Sequence, residues 1–333
     1  MNLIPKGLKQ ILILIGIALI CVSCSKVPSI SENQWQKIDL HTQSNLQAIA
    51  FTGNPNHGWV VGSESAILET NDGGNTWSEK KLELDGKYRL TSISFAGDEG
   101  WIAGEPSIVL HTKDGGKTWF QIPLSTKLPG SPSEIVALGT DSAEMATTIG
   151  AIYRTEDGGK NWKSMVQEAV GVFRNLERSP DGKYVAVSAK GNFYSTWKPG
   201  DNQWQPLNRN SSRRVENMGF TSDGNLWMIA RGGQLQFSDP QKPEEWQKPI
   251  YPEIATSWGL LDLAYRTPNE IWVSGGSGNL LRSTDGGKTW AKDRDVEEIP
   301  SNFYKIEFFS PEKGFIIGQR GILLKYQGNT SNT

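Results

Sequence analysis

Apolar residues along this chain come in runs of five or six, too short for amphipathic helices, and the runs come in threes. Residues 46–51 (LQAIAF), 58–62 (GWVVG) and 66–70 (AILET) make one set; 90–95 (LTSISF), 100–104 (GWIAG) and 108–112 (IVLHT) make the next. Gly, Ser and Asn separate them, so each run reads as a short strand and each gap as a turn. A fourth, more polar run follows each set, introduced by one recurring phrase: TNDGGNTW at 70–77, TKDGGKTW at 112–119, TEDGGKNW at 155–162 and TDGGKTW at 284–290. Anchored on the tryptophan that ends it, degenerate copies included, the series is Trp35, Trp77, Trp119, Trp162, Trp204, Trp246 and Trp290. Its steps are 42, 42, 43, 42, 42 and 44 residues. A period held that closely marks one structural unit copied along the chain.

Four short strands per unit, with turn chemistry between them, specify a propeller blade. Runs of the second-strand type begin near Gly58, Gly100, Glu144, Lys183, Asn225, Glu270 and Gly314, which gives seven blades. The last unit has only three strands, ending at 323–327 (LLKYQ), while 35–40 (WQKIDL) looks like an orphan fourth strand. The expected fold is therefore all-β, a seven-bladed β-propeller with Asp-box-like repeats, its N-terminal strand completing the last blade and leaving no open edge. In the repeated phrase the glycines permit a tight turn between third and fourth strands, the Asp binds backbone N–H groups of that turn, and the Trp packs between blades. It resembles the Asp-box of sialidases and reads as scaffold rather than as catalytic machinery.

The first residues carry a different message. Lys6 and Lys9 precede an apolar stretch, ILILIGIALI, and the uncharged segment through Ser23 is 13 residues long, too short to span a bilayer comfortably. Cys21-Val22-Ser23-Cys24 follows and resembles a bacterial lipobox, with Cys21 where Leu is usual. The expected organisation is a lipoprotein signal peptide over 1–23, a membrane tether over 24–34, the propeller over 35–328 and a short C-terminal tail over 329–333. Cys24 would become the diacylated N-terminus, and two acyl chains hold a protein to a membrane stably where one does not. Cys21 and Cys24 are the only cysteines, so the mature chain has no disulfide, no thiolate zinc site and no Cys nucleophile. Its formal charge is −2, and the loss of Lys6 and Lys9 leaves 32 basic against 36 acidic side chains, a net −4. That balance argues against nucleic-acid binding.

Candidate chemistry then depends on which face of the ring a residue reaches. In a propeller the start of each inner strand shares a face with the turns between second and third strands, opposite the Asp-boxes. Arg89 and Arg214 precede inner strands, with Arg213 beside the latter; Arg174 lies near the start of another; Lys190, Arg231 and Arg320 sit in second-to-third-strand turns. The chain has 12 Arg, and six of them (Arg174, Arg178, Arg209, Arg213, Arg214 and Arg231) fall within 58 residues, in blades four and five. Arg suits carboxylate and phosphate recognition through its planar fork, so these six form a candidate partner-binding patch. Arg178 aligns with the end of its strand rather than the start. The alternative is a solvated rim with local ion pairs to Glu177 or Glu216.

Other constellations are poor. His41, His57 and His111 sit at dissimilar positions, so no metal centre is expected, and no nucleophile elbow, phosphate loop or cofactor motif occurs. A sialidase-like hydrolase would need a Tyr–Glu pair; Tyr304 with Glu307 is a candidate, but strict strand alternation puts the two on opposite sides. Glu64 and Glu105 are its other carboxylates. An envelope glycan-binding lipoprotein is a further alternative, and it would use Phe173, Tyr304 and Trp258 as sugar platforms.

The lipobox-like leader, the seven Asp-box repeats, and above all 173–197 (FRNLERSPDGKYVAVSAKGNFYSTW) and 212–233 (SRRVENMGFTSDGNLWMIARGG), resemble the propeller-type photosystem II assembly and stability factors of cyanobacteria and chloroplasts. The likeness covers essentially everything after the leader. It implies a non-enzymatic, cofactor-free scaffold, lipid-anchored on the lumenal side of the thylakoid membrane. Such a scaffold acts early, binding precursor D1 and reaction-centre subunits, with membrane-insertion machinery and photosystem complexes as further partners. The family's Arg patch would fall on Arg174, Arg213, Arg214 and Arg231, with Arg209 and Arg178 as weaker members. Nothing in the sequence suggests a coiled coil or swapped element, so a monomer is expected.

Overall fold

The structure, a computed structural model, describes residue 30 and residues 34–209, 211–252 and 259–328. The leader, Cys21, Cys24, Trp258 and the tail 329–333 lie outside the described residues. Seven four-stranded antiparallel sheets follow one another along the chain, six of them built from consecutive strands. The seventh combines Phe303–Ser310, Lys313–Gly318 and Leu323–Tyr326 with Trp35–Ile38 as its outer strand, in the register Trp35↔Tyr326 to Ile38↔Leu323. The ring therefore closes as the orphan strand predicted, and the all-β propeller expectation holds.

Its hydrophobic core is divided among the seams. Seven buried clusters each take side chains from two adjacent blades; Leu46, Ile49 and Val60 of blade 1, for instance, meet Phe315, Ile317 and Leu323 of blade 7. The repeat tryptophans are the wedges. Trp119 packs edge-on against Trp59 of the preceding blade at 6.0 Å, Trp162 against Trp101 at 6.0 Å, Trp246 against Tyr194 at 5.9 Å and Trp35 against Trp272 at 5.4 Å. One large apolar ring per repeat, reaching back one blade, turns a sequence period into a closed circle.

The Asp-box turns behave as their composition requires. In the second, the Asp114 carboxylate accepts from the Thr118 N–H (2.9 Å), the Thr118 hydroxyl (2.6 Å) and the Thr112 hydroxyl (2.8 Å). Gly115 and Gly116 both take positive φ, and a Cβ on Gly116 would meet the Trp59 indole at 2.4 Å. Against the upward push of partial burial, these donors hold Asp114 down to about 2, and Asp72 likewise.

Two features were not legible from the pattern. Every inner strand carries a β-bulge at its second or third residue, so that Gln47, Thr91, Ser133, Arg174, Glu216, Leu261 and Tyr304 interrupt the register. The stretch expected as a tether over 24–34 meets the ring within those bounds, at residues 30 and 34. The Ile30 N–H donates to the Lys292 carbonyl (3.1 Å), and the Gln34 carbonyl accepts from the Gln327 N–H (2.9 Å). Ile30 also packs against the blade 6–blade 7 core.

Candidate functional site

The bulges set what points into the central channel. After each one alternation resumes, placing Glu134, Asn175, Asn217, Asp262 and Lys305 in one layer and Glu177 and Glu307 in the next, each matched by register to its second strand. The polar members tie inner strands together: the Ser92 hydroxyl accepts from the Ile135 N–H (3.1 Å), the Asn175 side-chain oxygen from the Met218 N–H (3.2 Å) and the Asp262 carboxylate from the Ile306 N–H (3.0 Å). Burial pushes Glu177 up to about 8, helped by the charges of Glu134, Asp262 and Glu307 and opposed by Lys305. Burial likewise raises Asp262 to about 6, against the Ile306 N–H, and also raises Glu134. Glu307 and the neighbouring acids in turn keep Lys305 charged.

A carboxyl whose folded pKa is raised contributes stability that is present below its unfolded pKa, about 4.3, and lost as pH rises through the folded value. The melting temperature is therefore expected to fall between pH 5 and 8, and Glu177→Gln should flatten that fall in a calorimetric pH series. The Asp-box carboxylates, held down to about 2, act in the other direction, and their contribution disappears as pH drops from about 4 towards 2.

The same bulge overturns the alternation argument about Tyr304 and Glu307, because the register breaks between Phe303 and Lys305. Glu307 lines the channel beside Lys305 (3.5 Å), which engages it in that ion pair. The histidines take structural partners. His57 Nε2 meets Glu69 and His111 Nε2 meets Glu99, each at 2.8 Å, the same within-blade pair with its two ends exchanged between blades 1 and 2. His41 lies near Asp39 on the surface.

The arginines divide into two groups. Arg213, Arg214 and Arg231 are exposed, and Arg209 half-buried, on the face where inner strands begin. They hold one another through backbone carbonyls. Arg209 donates to the Arg213 carbonyl (2.5 Å), Arg213 to the Arg231 carbonyl (3.2 Å) and Arg214 Nε to the Lys190 carbonyl (2.9 Å), while the Arg231 N–H donates to the Arg214 carbonyl (2.8 Å). Among the described residues none of these four pairs with a carboxylate, so their charge is oriented without being neutralised. Arg213 also lies over the ring of Tyr251, 5.4 Å from its centroid, and Tyr251 is 48% exposed. Sequence reading missed that aromatic; its place on the stretch leaving the fifth blade's outer strand was the available signal.

Arg174 belongs to the same face, at the bulge of its inner strand, and pairs with Glu216, the bulge residue of the next blade, while also donating to the Val215 carbonyl (3.3 Å). Its charge is thus partly spoken for, as the local ion-pair alternative had it. Arg174 also lines a cleft of about 460 Å³ with Arg89, Phe173 and Val172, the last 66% exposed.

Arg178 does not belong to the patch. It sits at the far end of its inner strand, towards the Asp-box face, where Nε donates to Glu144 (2.7 Å) and the guanidinium to the Ser179 carbonyl (3.1 Å), and it covers Tyr184 at 5.9 Å. Tyr184 donates to the same Glu144 carboxylate at 2.9 Å. Linear clustering cannot tell the two ends of a strand apart. Arg178→Ala strands a buried carboxylate and should destabilise the ring by about 3–5 kcal/mol in chemical denaturation, while leaving partner affinity unchanged.

A closed seven-bladed ring with a cluster of arginines held by backbone carbonyls on one face places the chain in the β-propeller class. Within that class, the profile of the "Photosynthesis system II assembly factor YCF48" family matches residues 27–327, and the chain belongs to that family. A relative named "Photosystem II assembly lipoprotein Ycf48", from Trichormus variabilis, is 66% identical over 331 residues, covering 99% of this chain and 97% of that one. The solved structure "YCF48 bound to D1 peptide" is 56% identical with a TM-score of 0.88, covering 91% of this chain and 99% of that one. "YCF48 from Cyanidioschyzon merolae" is 38% identical with a TM-score of 0.83, covering 88% and 98%.

Proposed function

We propose that this chain is a non-enzymatic photosystem II assembly factor that captures D1 and early reaction-centre precursors through the cationic face of blades 4 and 5. The supporting observation is the set Arg209, Arg213, Arg214 and Arg231, held in place by carbonyls with its charge unpaired among the described residues. A guanidinium positioned that way has donors free for a carboxylate, so the client segment is acidic or ends in a carboxylate. Similarity to the structure solved with a D1 peptide supports D1 as the client. Arg174 extends the patch towards the channel mouth.

The anchor completes the reading. Cys24 is lipidated after removal of 1–23, consistent with the lipoprotein naming of relatives, and the ring works on the lumenal side of the thylakoid membrane. Tethering raises the effective concentration of the platform near new membrane proteins without any added contact. No step of this function requires a cofactor.

A pull-down from detergent-solubilised membranes tests it, with wild type beside Arg174→Glu/Arg213→Glu/Arg214→Glu and partners identified by mass spectrometry. Early photosystem II subunits should come down with wild type and be lost with the variant. Recovery with both would move the site elsewhere on the ring, and recovery with neither would remove the client assignment.

A further inference from the structure

The way the chain joins the ring limits how the ring can stand on a membrane. The Ile30 N–H is bonded to the Lys292 carbonyl on the outer strand of blade 6, and Ile30 packs against the core shared by blades 6 and 7. Gln34, 1% exposed, is held by Gln327 of blade 7 and receives a bond from Arg282 of blade 6 (3.1 Å). Trp35 then enters the closing strand with its ring against Trp272 and Tyr326, at 5.4 and 5.3 Å. The chain is thus fixed to one seam at residue 30 and again at residues 34 and 35.

Cys24 lies six residues before Ile30, so even a fully extended backbone spans only about 20 Å between them. A folded ring of this length has a radius of gyration near 19 Å and is roughly 50 Å across. An anchor at Cys24 therefore cannot leave the blade 6–blade 7 seam at the far edge with blade 3, on the opposite side of the ring, against the bilayer.

We propose that the rim at the seam of blades 6 and 7 is the lipid-facing edge of the protein, with blade 3 pointing away from the bilayer. This rests on lipidation at Cys24. Blade 5 adjoins blade 6, so Arg213, Arg214 and Arg231 stand on the flank of the ring, near client segments that leave the membrane. The exposed outer-strand residues near the seam and those just after them mix charges, with Lys37 and Arg294 beside Asp39 and Asp295, so the contact owes its direction to the short tether rather than to attraction for anionic lipid.

The test uses the full lipidated protein bound to phosphatidylcholine–phosphatidylglycerol vesicles carrying a nitroxide headgroup. Fluorophores are placed at Lys37→Cys on the rim of blade 7 and, in a second protein, at Lys163→Cys on the rim of blade 3; both sites are exposed outer-strand positions. Quenching several-fold stronger at position 37 is expected, unchanged by salt. A Gly-Ser insertion of about 20 residues after Ser25 should bring the two signals together. Equal or reversed quenching in the uninserted protein, with the vesicles co-floating, would overturn the orientation and leave the anchor intact. Failure to co-float would overturn the anchor and the orientation with it.

Discussion

Reversing three arginines on one face should lower client affinity by about 100-fold or more, or roughly 3 kcal/mol, while the melting temperature changes little. The expectation for Arg174→Glu/Arg213→Glu/Arg214→Glu follows from how these side chains are held. Arg213 and Arg214 are exposed and bonded to carbonyls of neighbouring loops, so removing them uncovers only the already half-exposed ring of Tyr251 and strands no buried carboxylate. Arg174 does leave Glu216 behind, but at a half-buried position that water reaches. An isotherm of the client peptide against full-length protein, at two salt concentrations, checks both parts. Wild-type affinity should weaken with salt, and the variant's residual affinity should be nearly salt-independent. Arg178→Ala is the matched contrast, costing stability and not affinity.

Trp35→Ala should cost about 3–5 kcal/mol, a large part of the 5–15 kcal/mol that holds a typical fold together. Trp35 is 2% exposed and packs against Trp272 of blade 6 and Phe308 and Tyr326 of blade 7, within the strand whose pairing with Leu323–Tyr326 closes the ring without a covalent link. Loss of its ring leaves a cavity at the closure and loosens the strand that covers the Leu323–Tyr326 edge. Urea unfolding should show a lower midpoint, whereas exposed Gln36→Ala, one residue on, should stay within about 0.5 kcal/mol of wild type.

The ring was legible in the sequence because its parts repeat. Each Trp-ended Asp-box carries the same mechanical duty, so a period near 42 residues named the blade, and counting second strands gave seven. The inner bulges were not legible. Gln47, Thr91, Ser133, Arg174, Glu216, Leu261 and Tyr304 share no side-chain chemistry, since the bulge answers to the geometry of strands converging on an axis. The channel acids were not legible as one cluster for a related reason. Glu134, Glu177, Asp262 and Glu307 come one from each of four blades and meet only when the ring closes. Arg209, Arg213, Arg214 and Arg231 were found by density alone, and density also drew in Arg178, whose carboxylate partner Glu144 lies on the preceding blade.

The face that binds can be read without changing any charge. A photo-crosslinking residue at Ser212, in the exposed arginine loop of blade 5, samples the cationic face, and one at Asp223, in the first-to-second-strand turn of the same blade, samples the opposite face. Both positions are exposed and both sit on one blade, so the melting temperature of each labelled protein is measured beside the capture to account for the turn hydrogen bonds that Asp223 accepts from Thr221 and Asn225. Irradiated with solubilised membranes, the Ser212 probe should capture an early photosystem II subunit and the Asp223 probe should not. Capture from Asp223 with none from Ser212 would contradict the arginine face as the binding surface.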